Sequence, residues 1–145
     1  MNAVDEINAA WGWVGMSAVE VLAENDFGNL ILKDDEGKYW RLRPHDLCCQ
    51  PVAQDREAFD ALSYDQAFLQ DWYMTDLVMQ AHAKLGPLAS GRKYCVKVPS
   101  VEGSEHGGKD LGTAPLMALI RFSGDVAQHI HGLPLGEALN APYVE

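Results

Sequence analysis

From Ala18 to Glu24 apolar and polar positions alternate. Val19, Val21 and Ala23 share one face and Glu20 and Glu24 the other, which predicts a β-strand. Asn25-Asp26-Phe27-Gly28 reads as a turn. Two short apolar-rich runs follow, at 29–33 and 38–42. Asp34-Asp35-Glu36-Gly37 lies between them, with a glycine placed to take positive φ, and this predicts a hairpin. Residues 47–53 predict a further strand. Pro51 lacks an N–H for the ladder, so that strand belongs at an edge or a bulge. Ahead of all these, Val4 to Trp13 predicts a short helix ending at Gly12 or Gly15.

The middle of the chain changes period. Asp55 to Leu62 predicts a short helix. Ser63 and Gln66 have the spacing of a capping box, and the apolar pattern runs on to Leu85 before Gly86-Pro87, which predicts one longer helix. Phe68, Trp72 and Met79 lie on one side of its wheel; Tyr73, Leu77, Val78 and Ala81 lie on another. Such a helix contacts two elements. Tyr94, Val96 and Val98 alternate with Lys93, Cys95 and Lys97, a strand ending at Pro99. A Gly-rich charged loop, 100–112, follows. Pro115 suits the first turn of a last helix that carries Leu116, Leu119, Ile120, Val126, Ala127 and Ile130, with Gly124 as a weak point and Gly132 and Pro134 as its end. The sum is an α+β fold: a mostly antiparallel sheet of about five strands with helices packed on one face.

Length and charge narrow the function. The 145 residues fit one domain over 1–145, large enough to bury a core without disulfide or metal. Lys plus Arg number 11 and Asp plus Glu 21, for a net charge of −10. That field repels a phosphate backbone and excludes nucleic acid as a direct ligand, but it steers a basic protein partner inward. No stretch approaches the ~20 apolar residues of a membrane span. Three cysteines, Cys48, Cys49 and Cys95, two of them adjacent, fit a reducing compartment. Asp5 and Glu6 stand where a signal peptide would be basic, so the expected location is the cytoplasm.

No motif carries chemistry. Gly103, four residues, then Gly108-Lys109 matches the first part of a phosphate-binding loop. Asp110 then replaces the hydroxyl residue that binds magnesium, and Glu102 and Glu105 would repel the phosphate. His129 and His131 are two apart and do not face each other on a helix. No CxxC or Gly-x-Ser-x-Gly occurs, and Cys95 in mid-strand is expected to be an inert core residue. The expectation is a protein with no cofactor, no metal and no catalytic residues. Trp40 and Trp72 suit a core, whereas Trp11 or Trp13 suits an exposed anchor. Lys33, Lys38, Arg41, Arg43, Arg92, Lys93 and Lys97 fall on predicted strands or their ends, and the acids gather in helices and loops. A dipolar surface is expected.

Several runs resemble a known family. They are 27–32 (Phe-Gly-Asn-Leu-Ile-Leu), 37–44 (Gly-Lys-Tyr-Trp-Arg-Leu-Arg-Pro), Asp71-Trp72, Leu85-Gly86-Pro87-Leu88, 91–99 (Gly-Arg-Lys-Tyr-Cys-Val-Lys-Val-Pro) and Phe122-Ser123-Gly124-Asp125. Together they resemble the C-terminal domain of bacterial type VI secretion immunity proteins that neutralise DNase effectors, over about Val19 to Pro134. The resemblance implies a non-catalytic protein that binds and neutralises a cognate toxin, with a basic nuclease as the matching class of partner. Candidate contacts are Asp34, Asp35 and Glu36 at the hairpin tip, and Glu102, Glu105 and Asp110 in the late loop. A small-molecule sensor with a pocket between sheet and helices is the second reading. The sequence leaves the oligomeric state open.

Overall fold

The structure, a computed structural model, describes residues 2–96 and 111–131. Helix α1 (Ala3–Trp11) is capped by Asn2, whose side chain accepts from the Asp5 N–H, and it runs into a 3-10 turn at Gly12–Val14. Strands β1 (Ala18–Glu24), β2 (Leu30–Asp34), β3 (Tyr39–Arg43) and β4 (Cys48–Ala53) form an antiparallel meander in that order. Helices α2 (Arg56–Leu62), α3 (Gln66–Tyr73) and α4 (Thr75–Leu85) follow. A two-stranded ribbon, β5 (Arg92–Val96) with β6 (Leu111–Pro115), leads directly into α5 (Leu116–His131).

The class is α+β, as the alternation and the helical periods imply. The layering is richer than expected. Among the described residues six strands divide into two sheets, and helices cover both faces of the larger one. Paired residues fix the faces: Leu30 stands opposite Leu42 and Leu32 opposite Trp40, while Ile31 stands opposite Arg41 and Lys33 opposite Tyr39. The Leu30, Leu32, Trp40 and Leu42 face packs on Ile7 and Trp11 of α1 and Ile120 and Ala127 of α5. The opposite face meets α2 and α3: Tyr39 stacks on Phe59 at 4.3 Å, and Arg41 lies beneath Phe68 and Trp72. A second core, with Phe27, Ala81, Tyr94 and Leu111 buried, sits between α4 and the ribbon.

Local departures have local causes. Register shifts in β1 turn Ala18 inward and Val19 outward, so Val19 is exposed instead of sharing a buried face with Val21 and Ala23. Pro51 lies in edge strand β4, beside the register shift at Tyr39 and Trp40, so both proposed settings hold together. The predicted helix from Ser63 to Leu85 is two helices broken at Met74, a non-glycine residue with φ +50°. Asp65 caps α3 by accepting from the Phe68 N–H, and Ser63 instead closes α2 by donating to the Asp60 carbonyl. Residues 111–115, expected as loop and helix start, form β6 and pair with β5 from Arg92 opposite Pro115 to Val96 opposite Leu111. The continuation of β5 through Pro99, the loop at 100–110 and the helix stop at Gly132 and Pro134 lie outside the described residues.

Trp40 and Trp72 are buried, as their positions suggested. Neither Trp11 nor Trp13 is an exposed anchor. Trp11 is in the core, and Trp13 is half-buried, stacked on Trp11 at 5.8 Å and tilted against His131.

Candidate interaction surface

The hairpin tip separates its three acids. Asp34 is only 4% exposed. Its Oδ1 accepts from the N–H groups of Glu36 and Lys38 at 2.9 and 2.8 Å, and its Oδ2 accepts from Trp40 Nε1 at 2.8 Å. Gly37, at φ +81°, donates its N–H to the Asp34 carbonyl and completes a three-residue hairpin loop. Burial works against the Asp34 carboxylate, but the Trp40 and backbone hydrogen bonds and Lys38 outweigh it, so its pKa lies below the ordinary value. Asp34 therefore builds the tip, and Asp35 and Glu36 are the exposed acids that the tip presents. Glu102, Glu105 and Asp110 lie outside the described residues.

A polar node on the α2–α3 side of the sheet escaped the sequence reading. Arg41 is 4% exposed in the middle of β3. Its guanidinium donates to Asn29 Oδ1 through Nε and Nη2 at 3.2 and 2.8 Å, to the Asp71 carboxylate through Nη1, and to the Asp71 carbonyl. Phe68 and Trp72 lie over it at 5.8 and 5.3 Å from their ring centres. Burial lowers the Arg41 pKa and Arg43 lowers it further, while Asp71 pulls the other way; arginine keeps its proton throughout. Arg43 also approaches Asp71, at 3.7 Å, so one carboxylate at the end of α3 ties down two strand arginines.

The node orients its neighbours. Arg41 occupies Asn29 Oδ1, so the Asn29 amide nitrogen faces His45 Nδ1 at 3.2 Å and donates to it. The imidazole proton then belongs on Nε2, which faces Asp46 Oδ2 at 3.3 Å, and Asp46 in turn pairs with Arg43 at 2.8 Å. Asn25 does similar work at the helix break. Its amide donates to the Trp72 carbonyl at 2.7 Å, a group the interrupted helix leaves without a partner, while its Oδ1 accepts from the N–H groups of Phe27 and Asn29. The 25–29 turn thus clamps the α3–α4 joint.

That joint presents two clefts with a shared wall. One, about 190 Å³, lies between β1–β2 and α2–α3 and is lined by Ala23, Ile31, Phe59, Leu62, Phe68 and Leu69, with Trp72 and Tyr73 and the polar Asp60 and Ser63. The other, about 350 Å³, is bounded by Glu24, Asn25, Asp26, Thr75, Val78 and Met79, again with Trp72 and Tyr73. Tyr73 is 60% exposed and Met79 65%, and Tyr64 stands further out still. Between Ala53 and Leu85 there are six carboxylates against Arg56 and Lys84. The expected basic sheet face is compensated in part: Arg41 and Arg43 pair with Asp71 and Lys93 with Glu24 at 2.7 Å, while Arg92 keeps its charge and bonds across the ribbon to the neutral Thr113. Lys97 lies outside the described residues. A signal for the node was present, since Arg41 interrupts an apolar strand and Asp71 precedes a buried tryptophan. Pairing residues 30 apart, however, needs the fold.

The fold and this surface define a small α+β domain with two clefts at the α3–α4 joint. Among the described residues no group of three His, Cys, Asp or Glu could hold a metal ion, and no helix is long and apolar enough to cross a membrane. Residues 53–127, just over half of the chain, match the family described as T6SS immunity protein Tdi1, C-terminal. The chain belongs to this family of type VI secretion immunity proteins, whose role is to neutralise a toxin. The matched span runs from the end of β4 through α2, α3, α4 and both ribbon strands into α5, and so contains Asp71, Trp72, Tyr73 and Met79. No curated protein and no solved structure matches the chain.

Proposed function

We propose that this chain is a non-catalytic immunity protein, one domain over residues 1–145, that acts in the cytoplasm by binding its cognate secreted toxin, a basic nuclease, and blocking its access to nucleic acid. Membership of the immunity family carries the proposal. The net charge of −10 supports the nuclease as partner: an acidic inhibitor competes for the field that a nuclease uses to hold phosphates. Asp35 and Glu36 at the hairpin tip and Glu102, Glu105 and Asp110 in the late loop are proposed contacts. Asp34 acts beneath them as the support of the tip.

The second reading, a small-molecule sensor, gains nothing from the cavity lined by Phe27, His45, Cys95 and Phe122. It holds about 30 Å³, room for a single water, whereas metabolite sites span roughly 300–1,000 Å³, and the larger clefts at Tyr73 are open surface grooves, not enclosed pockets. The deciding experiment expresses each type VI effector toxin domain of the native genome with and without this chain. Rescue of growth by one toxin–chain pair, with co-purification of an inactivated form of that toxin, is the expected result. Rescue without any complex would point to enzymatic protection and overturn the binding mechanism; no rescue of any toxin would overturn the immunity role.

A further inference from the structure

We infer that the two clefts sharing Tyr73 are the primary toxin-docking site, and that the toxin inserts an apolar side chain into one and a lysine or arginine into the other. The inference deepens the immunity reading and rests on it.

Three observations converge on this joint. The first is exposed apolar surface. Tyr73 and Met79 stand 60% and 65% exposed beside a buried Trp72, and large aromatics at the rim of a pocket are the side chains that dominate binding energy. The second is complementary chemistry in the two clefts. The walls of one are mainly apolar, from Ile31, Phe59, Phe68 and Leu69, and its one carboxylate, Asp60, is already paired with Arg56 at 2.9 Å. The other is edged by Glu24 and Asp26. Lys93 neutralises Glu24 at 2.7 Å, while the Asp26 side chain is exposed and has no ion pair among the described residues. A cation entering there meets an available carboxylate and the face of Tyr73, and its aliphatic stem can lie on Met79. The third is rigidity. Met74 holds φ +50°, a conformation costly for a side-chain-bearing residue, and Asn25 pins it by bonding the Trp72 carbonyl. A pre-set joint spares the ordering cost of binding. Asp71 anchors the same helix end to Arg41, so Tyr73 projects from a fixed base.

The occupant is therefore a segment of the toxin that carries a large apolar residue and a basic residue close together, lying across Tyr73. The matched family span includes the helical wall of both clefts, Trp72 and Tyr73 with Val78 and Met79, while Glu24, Asn25, Asp26 and Ile31 on the strand side lie before it, as do Asp34, Asp35 and Glu36. Its exposed aromatic and two clefts make the joint the anchor, and the exposed acids Asp35 and Glu36 make the hairpin tip a steering element.

The test uses the full chain and inactivated type VI effector toxin domains of the native genome, with affinity and association rate measured by biolayer interferometry. Tyr73→Ala is expected to weaken binding about tenfold or more. Asp26→Lys is expected to weaken it about tenfold, chiefly through slower association at low salt. Tyr64→Ala, equally a surface tyrosine but lining neither cleft, is expected to stay within about twofold. Unchanged melting temperatures establish that each variant is folded, and Tyr73→Ser replaces Tyr73→Ala if the latter melts early. If wild type binds a toxin and both cleft variants bind within twofold of it, docking lies elsewhere and the immunity reading stands. If wild type binds no toxin, both fall.

Discussion

Gly124 of α5 crosses α1 so closely that a Cβ placed on it would lie 2.4 Å from the Ala10 carbonyl oxygen and 2.7 Å from the Ala10 Cβ. Both distances are below any real contact, and the obstructing atoms are backbone and a methyl group that cannot swing aside. In an ordinary helix interior, alanine in place of glycine gains roughly 0.5–1 kcal/mol. Here the overpacking cost of about 1–3 kcal/mol exceeds that gain. Gly124→Ala should therefore lower stability in urea unfolding. A variant as stable as wild type would mean that the helices part without cost.

The buried node predicts a coupling. Asp71→Ala leaves the Arg41 guanidinium buried with only Asn29 and a carbonyl as partners. Breaking a fully buried pair costs about 3–5 kcal/mol, but Asp71 is about half exposed, which reduces the expected loss to roughly 2 kcal/mol. Arg41→Met removes the stranded charge. The double variant should thus lose less stability than the two singles added together. Strict additivity in the cycle would show that the pair is not coupled.

Asp34 predicts an acid-labile hairpin. Its pKa is lowered in the folded state from the ordinary 3.8, because the Trp40, Lys38 and Glu36 hydrogen bonds outweigh burial. A depressed folded pKa supplies stability that is fully present above the unfolded value and is lost as pH falls through the folded value. The melting temperature should drop between about pH 5 and pH 2, and Asp34→Asn should flatten part of that drop. At neutral pH the same variant should lose about 1–3 kcal/mol, since an amide nitrogen would face N–H donors. Identical acid profiles for the two proteins would remove Asp34 from the account.

The adjacent thiols predict slow chemistry. Burial, with Cys48 adding to it, pushes the Cys49 thiol up to about 12, and burial raises Cys48 too. The thiolate is the reactive form. In Cys95→Ser protein near pH 8, a maleimide should modify Cys49 at least about a hundredfold more slowly than in urea, read by mass spectrometry. Prompt native labelling of Cys49 would contradict its burial.

Local patterns carried a definite share of the fold. Alternation located β1 to the residue, Gly37 marked the hairpin, Pro51 marked an edge with a bulge, and Asp55 with the following heptad marked α2. Each rests on forces acting within a few residues, so the sequence displays them. The same holds for the total charge and for the motifs that suggest the immunity family.

The site was less legible because its geometry is made across the chain. Ser63 to Leu85 is apolar on nearly every side, so no periodicity announces a break. The break at Met74 depends on Asn25, 47 residues from the carbonyl it satisfies. Residues 111–115 contain a glycine and a proline and become a strand only because β5 offers its edge. Gly124 looks like a helix defect until α1 lies against it. The three hairpin acids are alike in sequence, yet Trp40 and two backbone N–H groups turn Asp34 inward and leave Asp35 and Glu36 facing the solvent. By itself the sequence determined the class of fold, the acidic character and the family resemblance, since composition and short-range spacing express those directly. Only the tertiary structure decided which aromatics are exposed, which cations are already paired and where two clefts meet at Tyr73, because each of these is set by partners that folding brings together from distant parts of the chain.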